Sequence, residues 1–171
     1  MKDAAANIQI RRATVDQAGL VASILRQAFA EFESLYTEQA FAATVLATDA
    51  ILARMREGPV WCALCEKRIV GTASAVRRET GTYVRGVAVI PAARGLGIGR
   101  LLLQEIETFA NANRSHRLFL TTTPFLTEAI RLYEHLGFQR TSAGRVEFFG
   151  TPLFTMEKML TRNQRRERGL D

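Results

Sequence analysis

The stretch that most constrains this 171-residue chain is Val87–Arg100, which reads V-A-V-I-P-A-A-R-G-L-G-I-G-R. An apolar, largely β-branched run stops at Pro91, and a short loop follows with Arg94, Gly95, Gly97 and Gly99. From Ile98 to Asn111, the apolar residues Ile98, Leu102, Ile106 and Phe109 recur at helical spacing. A strand therefore feeds a glycine loop that opens a helix. The first turn of a helix has unpaired backbone N–H groups and partial positive charge. Glycine lets such a backbone approach a ligand closely and adopt positive φ, and Arg94 and Arg100 add full charge. Together these features make a cradle for phosphate.

Three glycine-loop patterns compete for this stretch. The dinucleotide pattern G-x-G-x-x-G fails because the spacing here is G-x-G-x-G. The nucleoside-triphosphate loop needs G-K-S or G-K-T, and Gly99-Arg100-Leu101 stands in its place. The third, R/Q-x-x-G-x-G/A, is met by Arg94, Gly97 and Gly99. On these residues, and on the V-x-V-x-P strand end before them, the region resembles the acyl-CoA pyrophosphate loop of the GCN5-related N-acetyltransferase (GNAT) family. A second segment, A-I-R-L-Y-E-H-L-G-F at Ala129–Phe138, resembles another signature of the same family. The glycine loop alone is equally compatible with a helix start that binds nothing; two motifs in the right order point to the family.

Composition narrows the field. The length suits one domain over 1–171, with a core at about 8–160 and a basic tail at 161–171. Apolar residues make up 47% of the chain, which excludes a disordered polypeptide. No apolar run approaches the ~20 residues of a membrane span, and the opening M-K-D-A-A-A-N lacks the apolar core of a signal peptide. A cytoplasmic protein with no membrane partner is expected. The net charge of +6 favours anionic partners, but part of it sits in Arg162–Arg168. That tail reads as a solvated end; an RNA-contacting arm is the sharper alternative, without the interleaved aromatics that nucleic-acid binding uses. Cys62 and Cys65 are the two cysteines. Three apart on a strand, they face opposite sides, which suits neither a disulfide nor one metal, and no metal is expected.

Taken in order, Ile8–Arg12 alternates as a strand, and Thr14 with Gln17 forms a capping box for a helix over Val15–Ala30. A second helical region covers Glu38–Arg56, interrupted near Thr48-Asp49 and ended by Gly58-Pro59. Strands follow at Val60–Glu66, Ile69–Arg77 and Thr82–Ile90, then the loop and its helix, then a strand at Arg117–Thr121. A helix over Pro124–Leu136 ends at Gly137. Phe138–Thr141 is a strand, Ser142–Thr151 a loop, and Pro152–Leu160 the last strand. This order predicts a mixed sheet with helices on both faces, an α/β (α+β) fold. The resemblance implies a mostly antiparallel seven-stranded sheet with about four helices, in which the strands at 82–90 and 117–121 run parallel and splay apart.

The resemblance also implies chemistry: transfer of an acetyl group from acetyl-CoA to a primary amine of a small molecule, by direct attack in a ternary complex. It assigns the CoA pyrophosphate to the backbone of Gly95, Leu96, Gly97, Ile98, Gly99 and Arg100, with charge from Arg94 or Arg100. It assigns the pantetheine arm to the backbone of Val87, Ala88 and Val89, and protonation of the departing thiolate to Tyr133. Two positions depart from the family. Leu126 stands where many relatives have an Asn, and Arg85-Gly86 where many have an acidic base. Glu31, Glu33 and Glu147 are candidate bases, beside a water relay or a backbone carbonyl. Glu31, Glu33, Arg85, Phe148 and Phe149 are candidates for the acceptor site, whereas His116 and His135 read as structural. Acetylation of a protein or aminoacyl-tRNA amine, and a non-catalytic acyl-CoA-binding module, remain as alternatives. Dimers are common in the family, which allows a homodimer.

Overall fold

The computed structural model describes residues 7–142 and 146–161. The predicted basic tail lies outside the described residues except for Thr161, as does the middle of the predicted Ser142–Thr151 loop. The strands are β1 (Ile8–Arg12), β2 (Val60–Cys65), β3 (Arg68–Arg78), β4 (Gly81–Val89), β5 (Arg117–Thr122), β6 (Gln139–Arg140), β7 (Val146–Phe148) and β8 (Thr151–Met159). The helices are α1 (Ala18–Phe29), α2 (Glu38–Thr44), α3 (Thr48–Glu57), α4 (Ile98–Ala112) and α5 (Thr127–His135). The sheet runs β1-β2-β3-β4-β5-β8-β6, with β7 paired to β8. All neighbours are antiparallel except β4 and β5.

Helices cover both faces. On one, α4 and α5 bury Ile98, Leu102, Ile106, Ile130 and Tyr133 against Trp61, Val84, Leu118 and Met156. On the other, α1 and α3 bury Val21, Leu25 and Ile51 against Val60, Cys62 and Ala88. Each strand of the middle must therefore serve two apolar layers, and the two thiols show it. Cys62 belongs to the α1–α3 layer and Cys65 to the α4–α5 layer, both unbridged.

The structure corrects the sequence reading in four places. Among the described residues the sheet has eight strands rather than seven, because β7 folds back on β8 within the predicted loop. The same residues form five helices rather than four, since Val45 leaves helical geometry (φ −93°, ψ 78°) and a new helix begins at Thr48. The first helix opens as a 3-10 turn at Val15–Gln17, where the Thr14 N–H donates to Gln17 Oε1 at 3.0 Å. Finally, α5 begins at Thr127 and not Pro124; a turn precedes it, with the Leu126 N–H bonded to the Thr123 carbonyl at 3.2 Å.

Two irregularities in β4 break the regular pairing at the centre of the sheet. The parallel ladder to β5 contains only Thr82↔Leu118 and Tyr83↔Phe119, so the two strands separate beyond Tyr83 as expected. Beyond the last pair, the Tyr83 and Thr121 hydroxyls meet at 3.0 Å. On its other edge β4 carries a bulge: Ser74 pairs with Arg85 and Thr72 with Ala88, so Gly86 and Val87 together oppose Ala73. Gly86 takes φ +63°, a conformation other residues rarely adopt.

Candidate active site

The separation of β4 from β5 opens a cleft of about 990 Å³. One end is built from backbone. After Pro91 the chain makes a short 3-10 turn and reaches Gly95 and Gly97 at φ +81° and +76°. A Cβ at either position would meet nothing within 4 Å, so main chain faces open space there. Gly97 is the N-cap of α4, whose first-turn N–H groups and dipole point the same way. Gly99 has a different reason to be glycine: a Cβ there would lie 2.7 Å from Leu132 Cδ2, so it lets α4 and α5 pack closely.

The backbone of β4 completes this end. The Ile90 N–H donates to the Val70 carbonyl at 3.0 Å, toward β3. Because successive peptide groups in a strand alternate direction, the Val89 N–H and carbonyl turn to the side that β5 has left. The Val89 carbonyl accepts from Arg94 Nε at 3.4 Å. Among the described residues, the Val89 side of β4 has no strand partner beyond Tyr83.

The two arginines of the loop differ. Arg94 is engaged: it pairs with Glu31 and donates from Nη2 to the Ala28 carbonyl at 3.0 Å, tying the loop to the end of α1. Arg100 lines the cleft, is exposed, and has no ion pair among the described residues.

The other end is built from side chains of distant segments. The turn at Ala30–Leu35 carries Phe32, and Tyr36 follows it. Both pack on Phe125, Phe32 stacked at 6.3 Å and Tyr36 edge-on at 4.9 Å. Thr37 fixes this lid from two directions. Its Oγ1 accepts from the Ala40 N–H at 3.2 Å as the cap of α2 and donates to the Phe149 carbonyl at 2.6 Å. Its own N–H donates to Thr151 Oγ1 at 3.1 Å. The wall beneath carries Arg54 of α3 with Tyr83, Arg85 and Gly86 of β4. Arg85 forms an ion pair with Glu57, and its Nε is buried without a hydrogen-bond partner among the described residues. Burial, reinforced by the neighbouring Arg85 charge, lowers the Arg54 pKa to about 10.

Tyr133 lies in the cleft on α5, 7% exposed, with its ring 5.8 Å from that of Phe138. Burial pushes its phenol above the usual tyrosine value, and the neighbouring Tyr36 adds to the effect. Tyr133 is therefore protonated throughout the neutral range. Tyr36 is raised as well, by burial, against the pull of the Thr123 and Thr44 hydroxyls.

Of the residues singled out from the sequence, Val87, Ala88, Val89, Arg94, Gly95, Gly97, Ile98, Gly99, Arg100, Tyr133, Glu31, Arg85 and Phe148 all line this one cleft. Leu96, Glu33, Glu147 and Phe149 lie outside its lining. Leu96 points outward from the loop at 47% exposure, and Phe149 sits in the β7–β8 turn at φ +46° and is 56% exposed. His116 and His135 are exposed and away from the cleft. Sequence reading missed Arg54, Tyr36, Tyr83 and the Thr121–Thr123 run. Arg54 falls within a helix of balanced charge, and nothing in its spacing marks it out.

Comparison with known proteins agrees with this geometry. The acetyltransferase (GNAT) family matches residues 21–138. N-acetylaspartate synthetase of Danio rerio is 34% identical over 97 residues, covering 56% of this chain and 34% of that protein. The chain spans about a third of the length of the curated relatives it matches. The PaiA N-acetyltransferase of Thermoplasma acidophilum, solved with coenzyme A, superposes with a TM-score of 0.78 at 15% identity, covering 90% of this chain and 99% of that one. The yncA protein of Salmonella typhimurium, solved with its cofactor acetyl-CoA, gives 0.71 at 24% identity, covering 92% and 96%. With the glycine loop, the splayed β4–β5 pair and the second signature on α5 all in place, the chain belongs to the GNAT family of acetyltransferases.

Proposed function

We propose that the chain is an acetyl-CoA-dependent N-acetyltransferase acting on the primary amine of a small molecule. The observation that carries this reading is a single cleft holding three things: open glycine backbone at the start of α4, the unpaired edge of β4, and the buried Tyr133 phenol. The residues fit a CoA thioester. The N–H groups from Gly97 to Arg100 and the α4 dipole hold the pyrophosphate, with Arg100 adding its positive charge. Val87 and Val89 offer backbone groups to the amide-bearing arm, as a sheet edge accepts a further strand. The thioester supplies the acyl group to be transferred.

Each chemical demand then falls on a named group. The Val89 N–H polarises the thioester carbonyl, a fixed donor aimed where negative charge develops. Tyr133, protonated at neutral pH, donates its proton to the departing thiolate; burial makes the phenol a weaker acid, an uphill transfer that close positioning offsets. Among the described residues, no carboxylate lining the cleft stands free: Glu31 pairs with Arg94 and Glu128 with Arg131. The proton lost by the amine therefore goes to water. Phe32 and Tyr36, packed on Phe125, wall the acceptor end of the cleft.

Calorimetry with acetyl-CoA and thiol release across a panel of amines test this reading. Uptake of acetyl-CoA with release only when a primary amine is present supports it. Absence of uptake at millimolar acetyl-CoA overturns it. Uptake without release on any acceptor makes the chain a binding module instead.

A further inference from the structure

Resting on that reading, we propose that the acceptor amine also bears a carboxylate, and that Arg54 and Arg85 hold it. Arg54 and Arg85 both line the lid end of the cleft, and Glu57, outside that lining, pairs with Arg85. Glu57 sits at the rim, 47% exposed, and takes up only the outer nitrogen of Arg85. The Arg85 Nε remains buried with no partner among the described residues. Arg54 has neither an ion pair nor a hydrogen bond among the described residues.

The bulge in β4 explains how Arg54 fits. Its Nη1 lies 2.5 Å from where a Cβ of Gly86 would be, so the guanidinium rests across the bulge in space that only glycine leaves. The chain thus gives up regular pairing in its central strand at the place where a second cation is seated. Arg54 is only partly buried and lines the cleft, so its unpaired guanidinium is within reach of an anionic ligand. Such a group makes sense where a ligand supplies the missing anion. The planar fork of a guanidinium matches a carboxylate in a way that an ammonium does not. The same two charges repel a cationic acceptor, which selects against polyamines.

The test compares α-amino acids, their carboxamides, phosphoethanolamine and spermidine as acceptors, on the full chain with saturating acetyl-CoA. Free carboxylates are expected to show a KM about tenfold or more below that of the matching carboxamide, the worth of one good charge-assisted pair. In Arg54→Met that ratio collapses, in Arg54→Lys it partly recovers, and the acetyl-CoA Kd holds in both. Equal KM values for acid and amide, preference for phosphoethanolamine or spermidine, or an unchanged ratio in Arg54→Met would each overturn the proposal. Should no acceptor release thiol while acetyl-CoA still binds, the transferase reading fails and binding decides this one separately. Amino acids titrated into the CoA-loaded protein must then give heat that carboxamides do not, and absence of that heat overturns it.

Discussion

The two ends of the cleft are made differently. The glycine-loop end is main chain: consecutive residues of one loop, the first turn of α4 and the free edge of β4. The lid end is side chain: aromatics from the α1–α2 turn, backed by Phe125 before α5, arginines from α3 and β4, a phenylalanine from β7. A backbone cradle leaves little for side-chain substitution to vary, whereas each wall of the lid end is a separate side chain on a separate segment and can change one residue at a time.

The largest effect that would sharpen this division comes from Tyr133, at the backbone end. Tyr133→Phe removes the acid and leaves the ring, so kcat is expected to fall by roughly 10²–10³, within the usual contribution of a positioned acid. The acetyl-CoA Kd measured by calorimetry should not move. An unchanged kcat would take Tyr133 out of the mechanism.

Gly97→Val is next. A β-branched residue at φ +76° is a backbone outlier, and its side chain enters the open space where we propose that the pyrophosphate is held. Acetyl-CoA binding is expected to weaken by about a hundredfold, ~2.7 kcal/mol. The reverse test is Thr37→Ala at the lid end. Losing the cap of α2 and the link to Phe149 should lower stability by about 1 kcal/mol. In denaturant titrations the midpoint shifts, and in kinetics the acceptor KM rises while the acetyl-CoA Kd stays within about twofold of its original value, less than the tenfold that ~1.4 kcal/mol would bring. If Thr37→Ala weakened acetyl-CoA instead, the two ends would not be separable.

The smallest effect is one of pH. Burial raises Cys62 to about 11 and also raises Tyr36 and Tyr133. Each is neutral in the folded chain at a pH where the unfolded chain has begun to ionise. The unfolded state then binds fewer protons, so stability is full below about pH 8.5 and declines as pH rises, first through the thiol and then the phenols. Tyr133→Phe should flatten the decline above about pH 10. An equal slope in parent and variant would contradict a protonated, buried phenol.

The same contrast explains what the sequence disclosed. A loop that binds through backbone must be glycine at Gly95 and Gly97, and such necessity is visible as a spacing. The unit of strand, loop and helix implied that β4 and β5 run parallel, and the family resemblance implied that they splay. By contrast, Arg54 reaches the bulge at Gly86 only with the tip of its side chain, and no periodicity encodes that meeting. Leu126 illustrates the middle case: the departure is readable in the sequence, but its placement just before α5 and in the cleft lining needed coordinates. The missed strand β7 is three residues long, too short to show an alternation.

The pair of cysteines on β2 has a practical consequence. Cys65 is half-buried, whereas Cys62 is 1% exposed beneath α1 and α3 and holds its proton to about pH 11. A thiol reagent under native conditions meets Cys65 first and reaches Cys62 only when those helices part from the sheet. Its labelling rate is therefore a native clock for the opening of the layer that carries Arg54, and any compound that settles at the lid end should slow it.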